Sequence, residues 1–260
     1  MGLLSSLRNK IQAKPLKEKY VLEHGQFRVP VEVIREARPN SRVSLGKSAA
    51  ILRISTMISS QDQELQIRKF RQWIIHQLDK HPDRFERFCP KVYHHGQILK
   101  VGQRRYVIRF IYESDRKTVT GKLGADRNLV FKVPFGASDI QLGPVIETLL
   151  SRIIGADFLP EVTARVHVLN DLHFQKSIAS VSLKYNHSNW GSCSSKGNIN
   201  LSTRLLFAPA FVLDYVIIHE LAHLVEMNHS PRFWKQVARA MPDYERAEKW
   251  LKDHGAGMSY

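Results

Sequence analysis

His219-Glu220-Leu221-Ala222-His223 sets two imidazoles four residues apart with a carboxylate beside the first. On an α-helix, positions i and i+4 stand about 40° apart and one turn along, so both rings leave the same face and one divalent cation fits between them. Glu220, turned by about 100° from His219, reaches a water on that cation without being a ligand. Neutral nitrogen ligands leave the ion its charge, which draws the pKa of a bound water towards about 7. The carboxylate then takes the proton as the hydroxide attacks. The pattern predicts a Zn2+ site with His219 and His223 as ligands and Glu220 as general base.

The setting of the pentapeptide strengthens that expectation. Val216, Ile217, Ile218, Leu221, Ala222, Leu224 and Val225 surround it, and polar groups in such company cost several kcal/mol unless paired or coordinated. A third ligand is needed. His229 follows after a gap of five residues. Asn228 suits a left-handed helix end and Pro231 stops simple continuation, so the chain can fold back towards the metal. Glu245 and Glu248, on the last expected helix, are the competing third ligands. The metzincin pattern shares the gap but has glycine where this chain has Glu226, so that label does not fit; Glu226 reads as a solvated or supporting carboxylate. Cys193 reads as a small packing residue in a Gly-Ser turn, with a metal-capping thiolate as the alternative. His94 and His95, adjacent on an expected strand, face opposite sides and read as surface or packing residues. Trp190 and Trp234 read as core or wall.

These residues need a scaffold, and hydrophobic periodicity predicts an α+β one: an N-terminal β-rich region followed by a minimal metal-bearing domain. Residues 1–25 read as a basic, weakly amphipathic lead-in. Residues 26–135 form the β-rich region, with strands around Val29–Val33 and Val43–Ile54, a helix over Ser60–Lys80 capped by a Ser60/Gln63 box, and strands at Gln97–Val101, Tyr106–Tyr112 and Leu129–Val133. Residues 136–260 form the metal-bearing domain. A helix over Ile140–Ile154 ends at Gly155; strands follow at Thr163–Leu169, Ile178–Tyr185 and Asn198–Ser202. Helices then cover Ala210–Met227, Pro231–Ala240 and the stretch from Asp243 to about His254. No internal repeat or low-complexity tract is evident.

The 43% hydrophobic and 24% charged composition of the 260 residues excludes disorder and fibrous classes. No apolar run approaches the roughly 18 residues of a membrane span. The N-terminus lacks a signal-peptide apolar region and matches only a loose Gly2/Ser6 acylation pattern. The two cysteines, Cys89 and Cys193, cannot build a disulfide framework. A cytoplasmic protein is expected. The net charge of +15 is lopsided: residues 1–130 hold 26 Lys/Arg against 12 Asp/Glu, and residues 131–260 hold 13 against 12. The first half, with Arg104, Arg105 and Arg109 on one strand-like stretch, is therefore the expected site of any nucleic acid or nucleotide partner.

From Trp190 onward the chain resembles the YgjP-like metallopeptidases, small relatives of the zincins and of the SprT and WLM groups. The likeness rests on Trp190-Gly-Ser-Cys-Ser, Pro209, Tyr215-Val-Ile-Ile-His-Glu-Leu-Ala-His, Asn228-His-Ser-Pro-Arg-Phe-Trp234, and Pro242-Asp-Tyr-Glu with Trp250-Leu251. It is weaker through Val31-Glu-Val-Ile-Arg and Tyr93-His-His-Gly-Gln-Ile-Leu. The resemblance implies a zincin-like domain in which His219, His223 and His229 hold zinc and Glu220 is catalytic. Departures at Asn189 and at Ser202-Thr203 put the substrate groove, not the metal, in question. The expected activity is peptide-bond hydrolysis, with an extended substrate paired to the strand near Asn198. Two alternatives stand beside it: a metal-dependent nucleoside triphosphate pyrophosphohydrolase, although no P-loop is present, and a nucleic-acid-associated protein using the basic half.

Overall fold

The computed structural model describes residues 16–46, 48–89, 91–186, 188–258 and 260. The Gly2/Ser6 pattern and most of the basic lead-in lie outside the described residues. The chain is α+β and divides into two compact units, Met1–Cys89 and Pro90–Tyr260.

In the first unit, β1 (Leu16–His24), β2 (Phe27–Glu36), β3 (Arg42–Leu45) and β4 (Ala50–Ser55) form a sheet in the order β1-β2-β4-β3. β1 thus occupies residues expected to be lead-in. Its charged Lys17 and Lys19 mask an alternation that buries Leu22. The β1–β2 hairpin turns at Gly25, whose φ of 56° meets the positive-φ demand of a two-residue loop. Val29, Val31, Leu52 and Ile54 line the inner face, and Ile74 and Leu78 of α1 (Ser60–Lys80) cover it. The cap of α1 is Ser59, not Ser60: the Ser59 hydroxyl accepts from the Asp62 N–H, while Gln63 donates to the Ile58 carbonyl.

The second unit opens with β5 (Ile98–Val101), β6 (Arg104–Glu113), β7 (Thr120–Leu123) and β8 (Asn128–Pro134), in the order β5-β6-β8-β7. α2 (Asp139–His173) follows. The helix expected to end at Gly155 instead runs through it and past Pro160, absorbing the expected strand at 163–169. Phe158, Val162, Val166 and Leu169 are buried at helical spacing, and that continuous stripe overrides the local alternation. Gly155 serves packing rather than termination, since a Cβ there would lie 2.9 Å from Thr203 Cγ2. Beyond α2, β9 (Ser180–Lys184), β10 (Gly191–Cys193) and β11 (Asn198–Ser202) form a second sheet in the order β10-β11-β9. α3 (Ala210–Ala222), α4 (Pro231–Ala240) and α5 (Tyr244–His254) complete the unit. The expected division at 135/136 falls between β8 and α2, inside this unit. Ile108 and Phe131 of the sheet share one core with Ile146 and Leu150 of α2 and with Val216 and Leu221 of α3, so the sheet and the helices after it pack as one body.

The two units begin alike, contrary to the expectation of no repeat. In each four-stranded sheet the first pair is antiparallel, the middle pair parallel and the last pair antiparallel, and a helix follows. Gly25-Gln26 closes the first hairpin and Gly102-Gln103 the second, with glycine φ of 56° and 54°. Glu36 pairs with Arg38 and Arg53 at 3.0 Å; Glu113 pairs with Arg116 at 2.7 Å and Lys132 at 2.6 Å. The Glu36 carbonyl accepts from Thr56 N–H as the Glu113 carbonyl accepts from Phe135 N–H, and Ser59 and Ser138 open the two helices alike. The register equates Val31 with Ile108 and Ala50 with Leu129. Residues 135–138 therefore correspond to 56–59, inside a module rather than between domains.

Candidate metal centre

α3 is apolar on most sides, and Val212, Val216, Ile217, Ile218 and Leu221 bury it in the core. Arg165 of α2 clamps it by a bidentate pair to Asp214, both contacts at 2.7 Å. Its last turn carries His219 and Glu220, and His223 is the C-cap with helical φ and ψ. The helix thus ends five residues before the expected Met227. Leu224 and Val225 donate to Leu221 and Ala222 in tightened turns, and the chain reverses. Asn228 takes part differently from expectation: it does not adopt positive φ, and its side-chain oxygen accepts from Ser230 N–H to set up the start of α4.

This reversal brings His229 back to the helix. The ligand nitrogens of His219, His223 and His229 all lie within 4.8 Å of one another. His219 Nε2 and His229 Nε2 are 3.1 Å apart. Phe233 of α4 lies under all three rings, with centroids 4.5 to 4.8 Å away. The rival carboxylates are not in the cluster: Glu248 accepts the Tyr215 hydroxyl at 2.9 Å, and Glu245 is exposed on α5. Glu226 contributes through its backbone, its carbonyl lying 3.2 Å from His223 Nδ1.

The donor set fits a zinc ion. Zn–N bonds of about 2.0–2.1 Å in a tetrahedron put ligand nitrogens about 3.3 Å apart, close to the 3.1 Å between the two Nε2 atoms. In the tautomer that donates from His223 Nδ1 to the Glu226 carbonyl, the Nε2 lone pair is free for a metal. Burial, then the neighbouring His223 and His229, push His219 down to about 4; burial also lowers His223. Both rings are therefore neutral at physiological pH, the form that binds metal. His219 Nδ1 is buried with no partner. Neutral imidazoles whose Nε2 lone pairs face one another, as those of His219 and His229 do, offer a cation its ligands.

Glu220 is 5% exposed, and burial pushes its carboxyl up to about 8. β10 runs beside it. A Cβ on Gly191 would fall 2.4 Å from Glu220 Oε1 and 2.8 Å from its Cγ and Cδ, so glycine is what lets the carboxylate occupy this place. Sequence reasoning did not give Gly191 this role, nor Phe233 its place beneath the rings. Cys193 stays outside the histidine cluster, and burial followed by the Glu220 charge pushes its thiol up to about 11. Its place outside the cluster and its raised pKa suit the packing role. Trp190 is a wall: Arg204 stacks over its ring at 4.2 Å and donates to the Met258 carbonyl at 2.7 Å. His95 accepts from the Phe110 N–H, and His94 is exposed.

Two expectations about the groove change. β11 lies between β10 and β9, so the strand near Asn198 has no free edge to offer a substrate. β10 is the edge. Ser194 N–H bonds Asn198 and Ser202 N–H bonds Trp190, so Gly191 and Cys193 turn their backbone groups outward. Ser202 and Thr203 are buried, with Thr203 2.9 Å from the Ser151 hydroxyl, and cannot line a groove. Asn189 is exposed beside the edge and donates to the Gly191 carbonyl at 3.1 Å.

Comparison with known proteins gives the chain a family. A family model described as the YgjP-like metallopeptidase domain matches residues 40–254. A UTP pyrophosphatase of Escherichia coli strain K12 is 28% identical over 94 residues, which is 35% of this chain; the match spans 56% of that protein. Two crystal structures of metallopeptidase zymogens also match. Abylysin of Pyrococcus abyssi is 23% identical with a TM-score of 0.33, over 35% of this chain and 93% of that one. Jannalysin of Methanocaldococcus jannaschii is 20% identical with a TM-score of 0.32, over 35% and 94%.

Proposed function

The chain belongs to the YgjP-like family of metallopeptidase domains, and from that premise we propose that it is a zinc-dependent peptidase with His219, His223 and His229 as ligands and Glu220 as general base. One observation carries this reading: three imidazole nitrogens converge within 4.8 Å, next in sequence to a buried carboxylate. Zinc would supply Lewis acidity, lowering the pKa of a nearby water and polarising the scissile carbonyl. The chain's own residues do the rest. Glu220, boxed in by Gly191, receives the proton of the attacking water and returns it to the leaving amine. Its low exposure removes competing solvent, and a cation held by the three histidines would favour the ionised, proton-accepting form of its carboxyl. The outward backbone groups of Gly191 and Cys193 suit an extended peptide lying along β10. Phe233 holds the three rings against one another.

The E. coli relative favours a second reading, hydrolysis of a nucleoside triphosphate to the monophosphate and pyrophosphate at the same site. Glu220 would then activate the water that attacks phosphorus. The discriminating experiment gives the zinc-loaded protein a panel of unstructured proteins, labelled peptides and nucleoside triphosphates, with and without chelator. Chelator-sensitive peptide cleavage that is absent in Glu220→Gln is the expected result. Pyrophosphate release from UTP with intact peptides establishes the second reading instead.

A further inference from the structure

The repeated module allows each surface position of the second sheet to be compared with its counterpart on the same scaffold. On the face of the second sheet turned away from α2 stand Ile98 and Lys100 of β5, Arg105, Val107 and Arg109 of β6, Val130 and Lys132 of β8, and Lys122 of β7. Lys100, Arg105, Arg109 and Lys122 are exposed, and Ile98 is 48% exposed. Among the described residues no carboxylate lies within 4.0 Å of any of these four cations, whereas Lys132 is taken by Glu113.

The first module shows that its fold does not require this charge. Register equates Lys100 with Glu23, Arg105 with Arg28, Arg109 with Glu32 and Lys122 with Ser44. In the first module Glu23 and Arg28 pair across the hairpin at 2.8 Å, and Glu32 takes Lys19 at 2.7 Å. In the second, Lys100 and Arg105 sit directly opposite each other on neighbouring strands. Like charges in that position oppose sheet formation. At these four positions the same scaffold is therefore neutralised within itself once and left cationic and unpaired once.

We propose that the open face of the second sheet, through Lys100, Arg105, Arg109 and Lys122, binds the phosphate backbone of nucleic acid. Ile98, Val107 and Val130 between the cations are aliphatic, and the exposed His95 ring touches Arg109 only at its edge, 3.5 Å from Nη1, so the face offers mainly phosphate contacts and binding should be largely indifferent to sequence. Arg109 is already oriented, its Nε donating to Asn128 Oδ1 at 3.2 Å. The surface is remote in function from the histidine cluster and holds whether that site cuts peptides or triphosphates.

The test uses the full chain and fluorescently labelled 20-nucleotide single-stranded and duplex oligonucleotides of mixed sequence, titrated across a salt series. Lys100→Glu with Arg109→Glu installs the residues the first module tolerates at these positions, and Lys122→Ser does the same in a separate variant. Arg68→Glu with Lys69→Glu, on the exposed side of α1, makes the same net charge change elsewhere. Binding should weaken at least about tenfold in the K100E/R109E variant, with a shallower salt slope. It should weaken several-fold in K122S and stay within about twofold in the α1 control. If wild type binds neither oligonucleotide at about 50 mM salt, or if the α1 control loses as much as K100E/R109E, the proposal is overturned. Binding of polyglutamate as tight as that of the oligonucleotides overturns it too, in favour of an acidic protein partner. Far-UV circular dichroism and zinc content, unchanged in K122S, separate lost contacts from lost fold.

Discussion

Glu220 and its neighbours make the sharpest claims at the scale of single residues. Glu220→Gln should keep zinc and fold while turnover drops by about 10²-fold or more, the cost of a lost general base; activity within a few-fold of wild type would remove it from the mechanism. Gly191→Ala tests the contact that places it. The new methyl must push the carboxylate aside, because 2.4 Å is far inside contact distance and Glu220 has little free space. We expect zinc to be retained and kcat to fall by at least an order of magnitude; an unaltered kcat would show that Glu220 has other room. His229→Ala should lose most of the roughly one zinc per chain that the ligand set implies. Full zinc in that variant, with loss in Glu245→Ala or Glu248→Ala, would reverse the assignment. Metal-free protein gives an independent reading through pH. The Glu220 carboxyl is pushed from 4.5 up to about 8 by burial, so between those values the folded state holds a proton the unfolded chain lacks, and stability falls as pH rises. His219, pushed from 6.5 down to about 4, acts oppositely, raising stability with pH only up to 6.5. From pH 6.5 to 8 the Glu220 effect remains of the two. Chelated wild type should lose several degrees of thermal stability over that interval, and chelated Glu220→Gln should lose clearly less.

Elements place these residues by close approaches that sequence periodicity does not report. α2 meets the start of the segment leading to α3 where Gly155 touches Thr203, and Thr203 in turn bonds Ser151 one turn earlier on α2. Gly155→Ala should destabilise the protein by about 1–3 kcal/mol through overpacking, and Thr203→Ser, which removes the offending methyl and keeps the hydroxyl, should recover most of it. Denaturant midpoints of the two single variants and the double variant measure this directly; simple additivity would deny the contact. The same element explains a misreading. Residues 163–169 alternate like a strand, but Val162, Val166 and Leu169 continue the buried stripe of Phe158, and burial along the whole helix outweighs a local pattern. The helices of the metal centre were legible because caps and prolines punctuate them: Pro231–Ala240 and Tyr244–His254 follow Ser230 and Asp243. β10 was not legible, being three residues long and without periodicity of its own.

For the whole molecule, the division at Cys89/Pro90 predicts two unfolding transitions, of which zinc raises one. Calorimetry with zinc and with chelator should move the transition of the second unit and leave that of the first in place; a single transition shifting as a whole would show the units to be thermodynamically one. The repeated module was hidden for a physical reason. What recurs is strand pairing, a glycine hairpin and a half-buried carboxylate-cation knot, and each of these tolerates many residue types, so the two copies share topology with few identities. By itself the sequence determined the α+β class, most helices, and the residues that could hold a metal, because helical spacing fixes which side chains share a face within one element. The sequence also named His229, with Glu245 and Glu248 as competitors, and the tertiary structure brings the His229 ring to His219 and His223; only the tertiary structure decided that β10 and not β11 has a free edge, and that Gly191 makes room for Glu220. Those are contacts between elements distant in the chain, set by how turns redirect it and by which cores fill, and neither follows from local spacing.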